Sequence, residues 1–247
     1  MKNNITKKRQ FVEIIEKLKQ QENYFSYEEI KVLLVKEKTN ITSSSLKTYV
    51  SELTKNGIIY DAGKGWYSSI KQPFDLNTRP VKSVITKINK ELPLLDFSCW
   101  STEQLNPFTH HLMAKFITFV YTESDYINTV ANVLEDSDYN VYRNPTKSEI
   151  LKFFKITNQT VILMPSITKQ PQTDHKLAPI EKILIDFLME NRNFNIMDEQ
   201  EAENVVINAL NSGRINMASL ISYTNRRKFN ISKIINQVQL DDMGGDS

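Results

Sequence analysis

The stretch from Ser26 to Ser68 constrains the fold most, because it carries the boundary signals of two short helices and a hairpin in close succession. Ser26 and Glu29 have the spacing of a capping box, in which the serine oxygen accepts from a first-turn amide and the glutamate reaches back to the N–H of the cap. A helix is therefore predicted to start at Tyr27. Its apolar face consists of Ile30, Leu33 and Leu34.

A second helical segment is predicted from Thr42, after Thr39 and Asn40 interrupt the first. Its apolar stripe comprises Leu46, Val50 and Leu53. The opposite face is cationic and rich in hydroxyl groups, and it comprises Ser44, Lys47, Thr48, Ser51 and Lys55. Asn56-Gly57 should end this helix, because glycine readily takes the left-handed conformation found at helix ends.

A hairpin is predicted next, with strands at 58–60 and 66–67 joined by a Gly-containing turn that places Lys64 at its tip. An earlier amphipathic helix carries Phe11, Ile14, Ile15 and Leu18. Three helices followed by a hairpin, in this order, are typical of a winged helix-turn-helix module. The sequence therefore predicts a winged helix over residues 1–72.

Duplex DNA is the partner that such a face favours, because lysines neutralise phosphates and small hydroxyl residues allow close approach to base edges. Residues 1–72 contain 13 Lys and Arg against 8 Asp and Glu, whereas the remainder contains 18 against 21. This asymmetry favours an anionic partner for the N-terminal module. A protein-interaction module with a solvated lysine face is the alternative.

Residues 73–80 form a predicted linker, since Pro73, Asn77 and Pro80 interrupt the hydrophobic periodicity. From residue 81 to 247, β-branched and aromatic strands alternate with helical segments, and the last third is helical. Strands are predicted at 97–100, 116–121, 141–142 and 160–164. One helix is predicted to start at Val84, and others to span 106–113, 126–134, 149–154, 180–188, 199–210, 217–223 and 231–238. The predicted fold class is α/β (α+β), a winged helix followed by a mixed α/β domain.

The composition predicts a cytosolic protein, because no apolar run is long enough to span a bilayer and the N-terminus lacks an apolar signal core. Cys99 is the single cysteine, so an intrachain disulfide is excluded and a buried apolar role is expected. The acidic, Gly-containing tail 241–247 is expected to be disordered.

The chain shows no recognisable catalytic, cofactor or metal motif, so no catalytic residue, cofactor or metal ligand is predicted and a non-enzymatic protein is expected. Gly-rich phosphate-binding loops are absent from the sequence. His110 and His111 are neighbours in a predicted short helix and face different directions, so a structural or solvent-exposed role is expected. Lys182 and Asp186 are expected to form an ion pair at the surface of the helix that follows Pro179.

Several of these residues resemble AbiEi-type antitoxins of bacterial type IV toxin–antitoxin systems. The resemblance rests on the N-terminal winged helix, on Cys99-Trp100-Ser101-Thr102 with Phe108 and His111, and on the stretch from Lys176 to Asp186 that contains Ala-Pro-Ile-Glu-Lys-Ile-Leu-Ile-Asp. It implies a transcriptional autorepressor that binds its own promoter and counteracts a nucleotidyltransferase toxin in abortive infection, a form of phage defence. Direct contact with the toxin is not assumed.

In that setting the helix with Glu181, Lys182 and Asp186 is either structural or part of an antitoxic surface. Two further functions stay open. The winged helix could deliver a nuclease or hydrolase to nucleic acid, or the chain could regulate transcription without any link to a toxin.

Overall fold

The computed structural model describes residues 2–167, 171 and 175–235, which form two compact units. The first unit contains the described residues of Met1–Phe74 and Leu210–Ser247, and the second is Asp75–Ala209. The division between Phe74 and Asp75 falls inside the predicted linker 73–80. It departs from the predicted domain 81–247, because the residues from Leu210 onward group with the N-terminal unit. The tail 241–247 lies outside the described residues.

The elements of both units follow each other in the order that the sequence patterns indicate. The helices are α1 Lys2–Gln21, α2 Tyr27–Lys36, α3 Ser43–Lys55, α4 Arg79–Glu91, α5 Ile127–Glu135, α6 Lys147–Phe153, α7 Ile180–Phe194, α8 Glu199–Ser212 and α9 Met217–Arg226. The strands are β1 Tyr24–Ser26, β2 Tyr60–Asp61, β3 Trp66–Ser68, β4 Phe97–Ser101, β5 Ile117–Thr122, β6 Asn140–Arg143 and β7 Thr160–Pro165. The predicted α+β class is confirmed.

The first unit is built on the predicted helices and hairpin. Helix α2 starts at Tyr27 because both capping-box bonds form: the Glu29 amide donates to Ser26 Oγ at 3.1 Å, and the Ser26 amide donates to the Glu29 carboxylate. The strand β1 joins the hairpin in an antiparallel sheet of order β1-β3-β2. Its core includes Phe11, Ile14, Ile15, Leu18, Phe25, Ile30, Leu34, Leu46, Val50, Leu53 and Ile59.

The second unit has a four-stranded sheet of order β4-β5-β7-β6. Strand β4 is antiparallel to β5, whereas β5, β7 and β6 run parallel to one another. Helices α4 and α5 cover one face with an apolar core that contains Val84, Ile88, Val130 and Leu134. Helix α7 contacts the other face through the β5 side chains Phe119 and Tyr121.

Some local predictions are wrong in their bounds. Arg79 and Pro80 of the predicted linker belong to α4, and only Tyr60 of the predicted strand 58–60 is a strand residue. The predicted helix 106–113 is a 3-10 helix at Thr102–Phe108, which starts earlier because Ser101 and Gln104 form a capping box. His110 and His111 follow it in irregular structure and are exposed. Of the predicted helix 231–238, residues 232–235 are helical and 236–238 lie outside the described residues.

A membrane-spanning helix is not found among the described residues, since none of their helices is both long and apolar enough.

We expect Ser26→Ala to lower the free energy of unfolding by about 1 kcal/mol, because the first turn of α2 loses its side-chain acceptor. Ser26→Asn is the matched control, since asparagine caps helices equally well. Chemical denaturation followed by circular dichroism measures both variants. Equal stability of the alanine and asparagine variants would show that the capping box contributes nothing to this unit.

Candidate nucleic-acid interface

Helix α3 presents the face that the sequence predicts. The Thr42 side chain caps the helix by accepting from the Ser45 amide at 3.2 Å, and Asn56 ends it, followed by Gly57 at φ +66°. Its apolar stripe Leu46, Val50 and Leu53 is buried. The opposite residues Ser44, Lys47, Thr48, Ser51 and Lys55 are all exposed. The predicted orientation is confirmed, while the role of these side chains on DNA stays a prediction.

The wing is a short hairpin whose turn needs two left-handed glycines. Gly63 has φ +102° and Gly65 has φ +78°, values that only glycine adopts without strain. The turn is closed by the Trp66 amide, which donates to the Gly63 carbonyl at 2.8 Å, and by the Ala62 amide, which donates to the Trp66 carbonyl at 3.0 Å. Lys64 lies between the two glycines and is exposed, as predicted.

A groove of about 390 Å³ runs between α3 and the base of the wing. Lys47, Ser51 and Lys55 line it from the helix, so the structure brings three of the predicted residues to one concave surface. Ser44 and Thr48 do not line this groove, and neither does Lys64. Its remaining lining residues are Tyr27, Val50, Thr54, Asp61 and Tyr67.

The sequence analysis did not identify the two tyrosines in the groove. Their positions could have indicated them, because Tyr27 starts α2 directly after the cap and Tyr67 follows the wing turn. Partial burial raises the pKa of Tyr67, and the neighbouring charge of Asp61 raises that pKa further. The Tyr67 phenol therefore keeps its proton at neutral pH and is available as a hydrogen-bond donor.

The single acidic residue of α3 is directed to another helix. Lys8 of α1 binds Glu52 with an N–O distance of 2.6 Å, and both side chains are about half exposed. This pairing offsets the carboxylate charge, so the cations Lys47 and Lys55 dominate the electrostatics of the helix surface that lines the groove. The Thr48 hydroxyl lies 3.2 Å from the Ser44 carbonyl, one turn earlier on the same helix.

The residues of the second predicted site, on α7, do not lie at the protein surface. Glu181 is 9% exposed, and Lys182 and Asp186 are completely buried. The predicted ion pair between Lys182 and Asp186 is present, but its predicted exposure is wrong. An antitoxic surface made of these three side chains is therefore excluded in this structure.

The physical reason is that α7 buries nearly its whole circumference. Lys182, Asp186 and Glu190 recur every fourth residue and form one stripe. The Lys182 ammonium lies 3.7 Å from the centroid of the Tyr121 ring, and the Tyr121 hydroxyl donates to Glu190 at 3.3 Å. Apolar residues on every other side of the helix, among them Ile183, Leu184, Ile185, Phe187 and Leu188, carry the signal that could have predicted burial.

Neither cysteine nor metal chemistry is indicated in the described part of the chain. Burial raises the pKa of the Cys99 thiol, so it stays protonated and packs as a small apolar group. Within residues 2–167, 171 and 175–235, no three His, Cys, Asp or Glu side chains are grouped to hold a metal ion.

The sequence matches a protein-family model. The model described as "Family of unknown function (DUF6577)" matches residues 45–240, which includes most of α3, the wing and the whole second unit. Comparison with the curated proteins gives no match.

We expect Lys182→Met to lower the free energy of unfolding by about 3–5 kcal/mol, because it leaves the buried Asp186 charge without its ammonium partner. Arg143→Gln, which breaks a partly exposed ion pair with Glu135, should cost about 0–1 kcal/mol. Urea titration of both variants measures the difference. Equal small losses would show that Lys182 and Asp186 contribute no more than a solvated pair.

Proposed function

We propose that this chain, which belongs to the DUF6577 family, binds duplex DNA through α3 and the wing and represses transcription from its own promoter. The observation that carries the proposal is the exposed Ser/Thr/Lys face of α3 beside a wing with a lysine at its tip. The partner that suits this arrangement is a double-stranded promoter site.

Helix α3 has the dimensions for the major groove. Its 13 residues correspond to a length of about 20 Å, and a major groove about 12 Å wide admits one helix. Two of the exposed residues near the amino end of α3, Ser44 and Thr48, have small hydroxyl side chains that can approach base edges. We assign these two residues to contacts with bases.

The lysines of α3 are assigned to phosphates. Lys47 and Lys55 lie two turns apart, about 12 Å along the helix axis, with Ser51 between them in the same groove. Asp61 on the opposite wall of the groove repels phosphate, so the DNA backbone is expected to lie on the lysine side of the groove. Lys64 then contacts the backbone from the wing tip.

The resemblance to AbiEi-type antitoxins extends the proposal to a toxin–antitoxin system. In this proposal the chain counteracts a nucleotidyltransferase toxin, and the promoter that it represses also controls the toxin gene. Because Glu181, Lys182 and Asp186 are buried in the second unit, the antitoxic surface of the chain consists of other residues.

Lys47→Ala, Lys55→Ala and Lys64→Ala should each weaken promoter binding and reduce the slope of log K against log salt by about one unit for each phosphate left without its lysine. Lys36→Ala is the matched control, because this exposed lysine lines the groove between α1 and α2. Gel-shift titrations at several salt concentrations give both quantities. Unchanged slopes in all three variants would contradict the assignment to phosphate, and a full-length chain that fails to shift its promoter would refute the proposed function.

The repression and the antitoxic activity should be separable. A Lys47→Ala/Lys55→Ala double variant should lose repression of a promoter–reporter fusion while still rescuing cells that express a nucleotidyltransferase encoded beside its gene. Point variants are preferable to deletion of residues 1–72, because deletion would remove the partner of α9. Loss of rescue together with repression, at equal protein level, would mean that protection depends on repression alone.

A further inference from the structure

We infer that the C-terminal segment 213–219 is a positioning element for the wing, and hence for Lys64 on DNA. This inference rests on the proposed DNA-binding function. It assigns the C-terminal chain to the DNA-binding unit, which the sequence places within residues 1–72. Three contacts support it: one with the wing turn, one with β2 and the chain that follows β3, and one with β1.

The first contact is at the wing turn itself. The Met217 amide, at the start of α9, donates to the Ala62 carbonyl at 2.8 Å. A Cβ added to Gly63 would collide with Asn216 Oδ1 and would lie 2.8 Å from the Ala218 Cβ, so the two segments touch at van der Waals distance. Ala62 and Met217 are buried. The residue directly before Lys64 is thus held by the first turn of α9.

Asn216 connects this contact to the helix. Its Oδ1 atom accepts from the Ser219 amide at 2.9 Å and so caps α9. The same atom is the nearest neighbour of the Cβ position at Gly63. The cap that starts α9 and the packing of the wing turn therefore depend on one side chain.

The second contact is at β2 and the chain that leaves the wing. The Arg214 guanidinium lies over the Tyr60 ring, 5.1 Å from its centroid, and donates to the carbonyls of Ile70 and Lys71 at 3.1 and 2.7 Å. The Arg214 backbone binds the same segment after β3, since its amide donates to the Gln72 carbonyl at 2.8 Å. The Nη1 atom of Arg214 donates both side-chain bonds. A planar guanidinium can donate in this way while it stacks on an aromatic ring, which a lysine ammonium cannot do.

The third contact is at β1. The Tyr24 hydroxyl accepts from the Ile215 amide at 3.1 Å and lies 2.8 Å from the Gly213 carbonyl. Tyr24 is 4% exposed, so these bonds form away from water. An isolated hairpin of two short strands is marginally stable in water. The contacts from 213–219 supply tertiary support for the wing.

The test uses the full-length chain and compares two variants of Met217, one without and one with the backbone N–H of residue 217. Met217→Pro removes the donor to Ala62, and proline suits this first helical position because no intrahelical bond is lost there. Met217→Ala loses the same buried side chain but keeps the amide. We expect the proline variant to bind its promoter about fivefold more weakly than the alanine variant, the equivalent of one exposed ion pair.

Lys64→Ala then shows whether the weaker binding comes from the wing. In the Met217→Ala background it should weaken binding, whereas in the Met217→Pro background it should have little further effect, because Lys64 is already displaced. Additive effects, or equal affinity of the proline and alanine variants, would overturn the inference and leave the proposed DNA binding in place.

A second measurement needs no DNA. Trp66 lies in the wing and is partly exposed, whereas Trp100 is completely buried, so acrylamide quenching of tryptophan fluorescence reports mainly on the wing. Quenching should increase in Met217→Pro relative to Met217→Ala at equal helical content by circular dichroism. Equal quenching would contradict the inference even if the chain failed to bind DNA.

A further variant keeps the inference testable if the Met217→Pro chain does not fold. Arg214→Lys keeps the charge but loses the stacked, two-bond geometry, so it should also increase Trp66 quenching and weaken promoter binding. The matched control is Arg226→Lys, at an exposed position near the end of α9. Identical behaviour of these two lysine variants would mean that Arg214 does not position the wing.

Discussion

Burial of the apolar stripe of α3 is the interaction that sets up the candidate interface. Leu46, Val50 and Leu53 pack into the core that α1 and α2 share. Successive side chains on a helix are separated by about 100°, so burying this stripe leaves one orientation for the helix. Lys47, Ser51 and Lys55 then face solvent together beside the wing. Rotation of α3 about its own axis would bury the lysines and expose the leucines. This rotation is unfavourable, so the observed orientation is the stable one.

The second unit uses charge in a different way. On α3 the lysines are exposed and available to an anionic partner, whereas on α7 Lys182 and Asp186 are buried inside the unit and bind each other. A buried ion pair is weak evidence for stability, because desolvation offsets much of the attraction. Its consequence here is geometric. Lys182 and Glu190 both contact Tyr121 of β5, and these directional contacts define how α7 lies against the sheet.

The first unit joins segments that are far apart in the sequence. Its wing is a local hairpin, but the side chains and amides that hold it come from residues 213–219. Bringing together partners separated by this length of chain costs conformational entropy. Only a set of contacts acting together offsets that cost, and the set found at Tyr24, Arg214 and Met217 combines hydrogen bonds, stacking and burial. The winged helix is therefore complete only with the C-terminal segment.

Sequence patterns were sufficient for the features that depend on neighbours a few residues apart. The capping box at Ser26, the exposed face of α3 and the glycine turn around Lys64 follow from local hydrogen bonding, helical periodicity and backbone freedom. The capping box at Ser101 is equally local, but apolar periodicity does not reveal it, and the helix near residue 106 is therefore misplaced by prediction. The burial of Lys182 and Asp186 and the return of residues 213–219 to the wing required the folded chain. Both depend on which distant surface covers a segment, and periodicity within a segment carries no information about the partner that covers it.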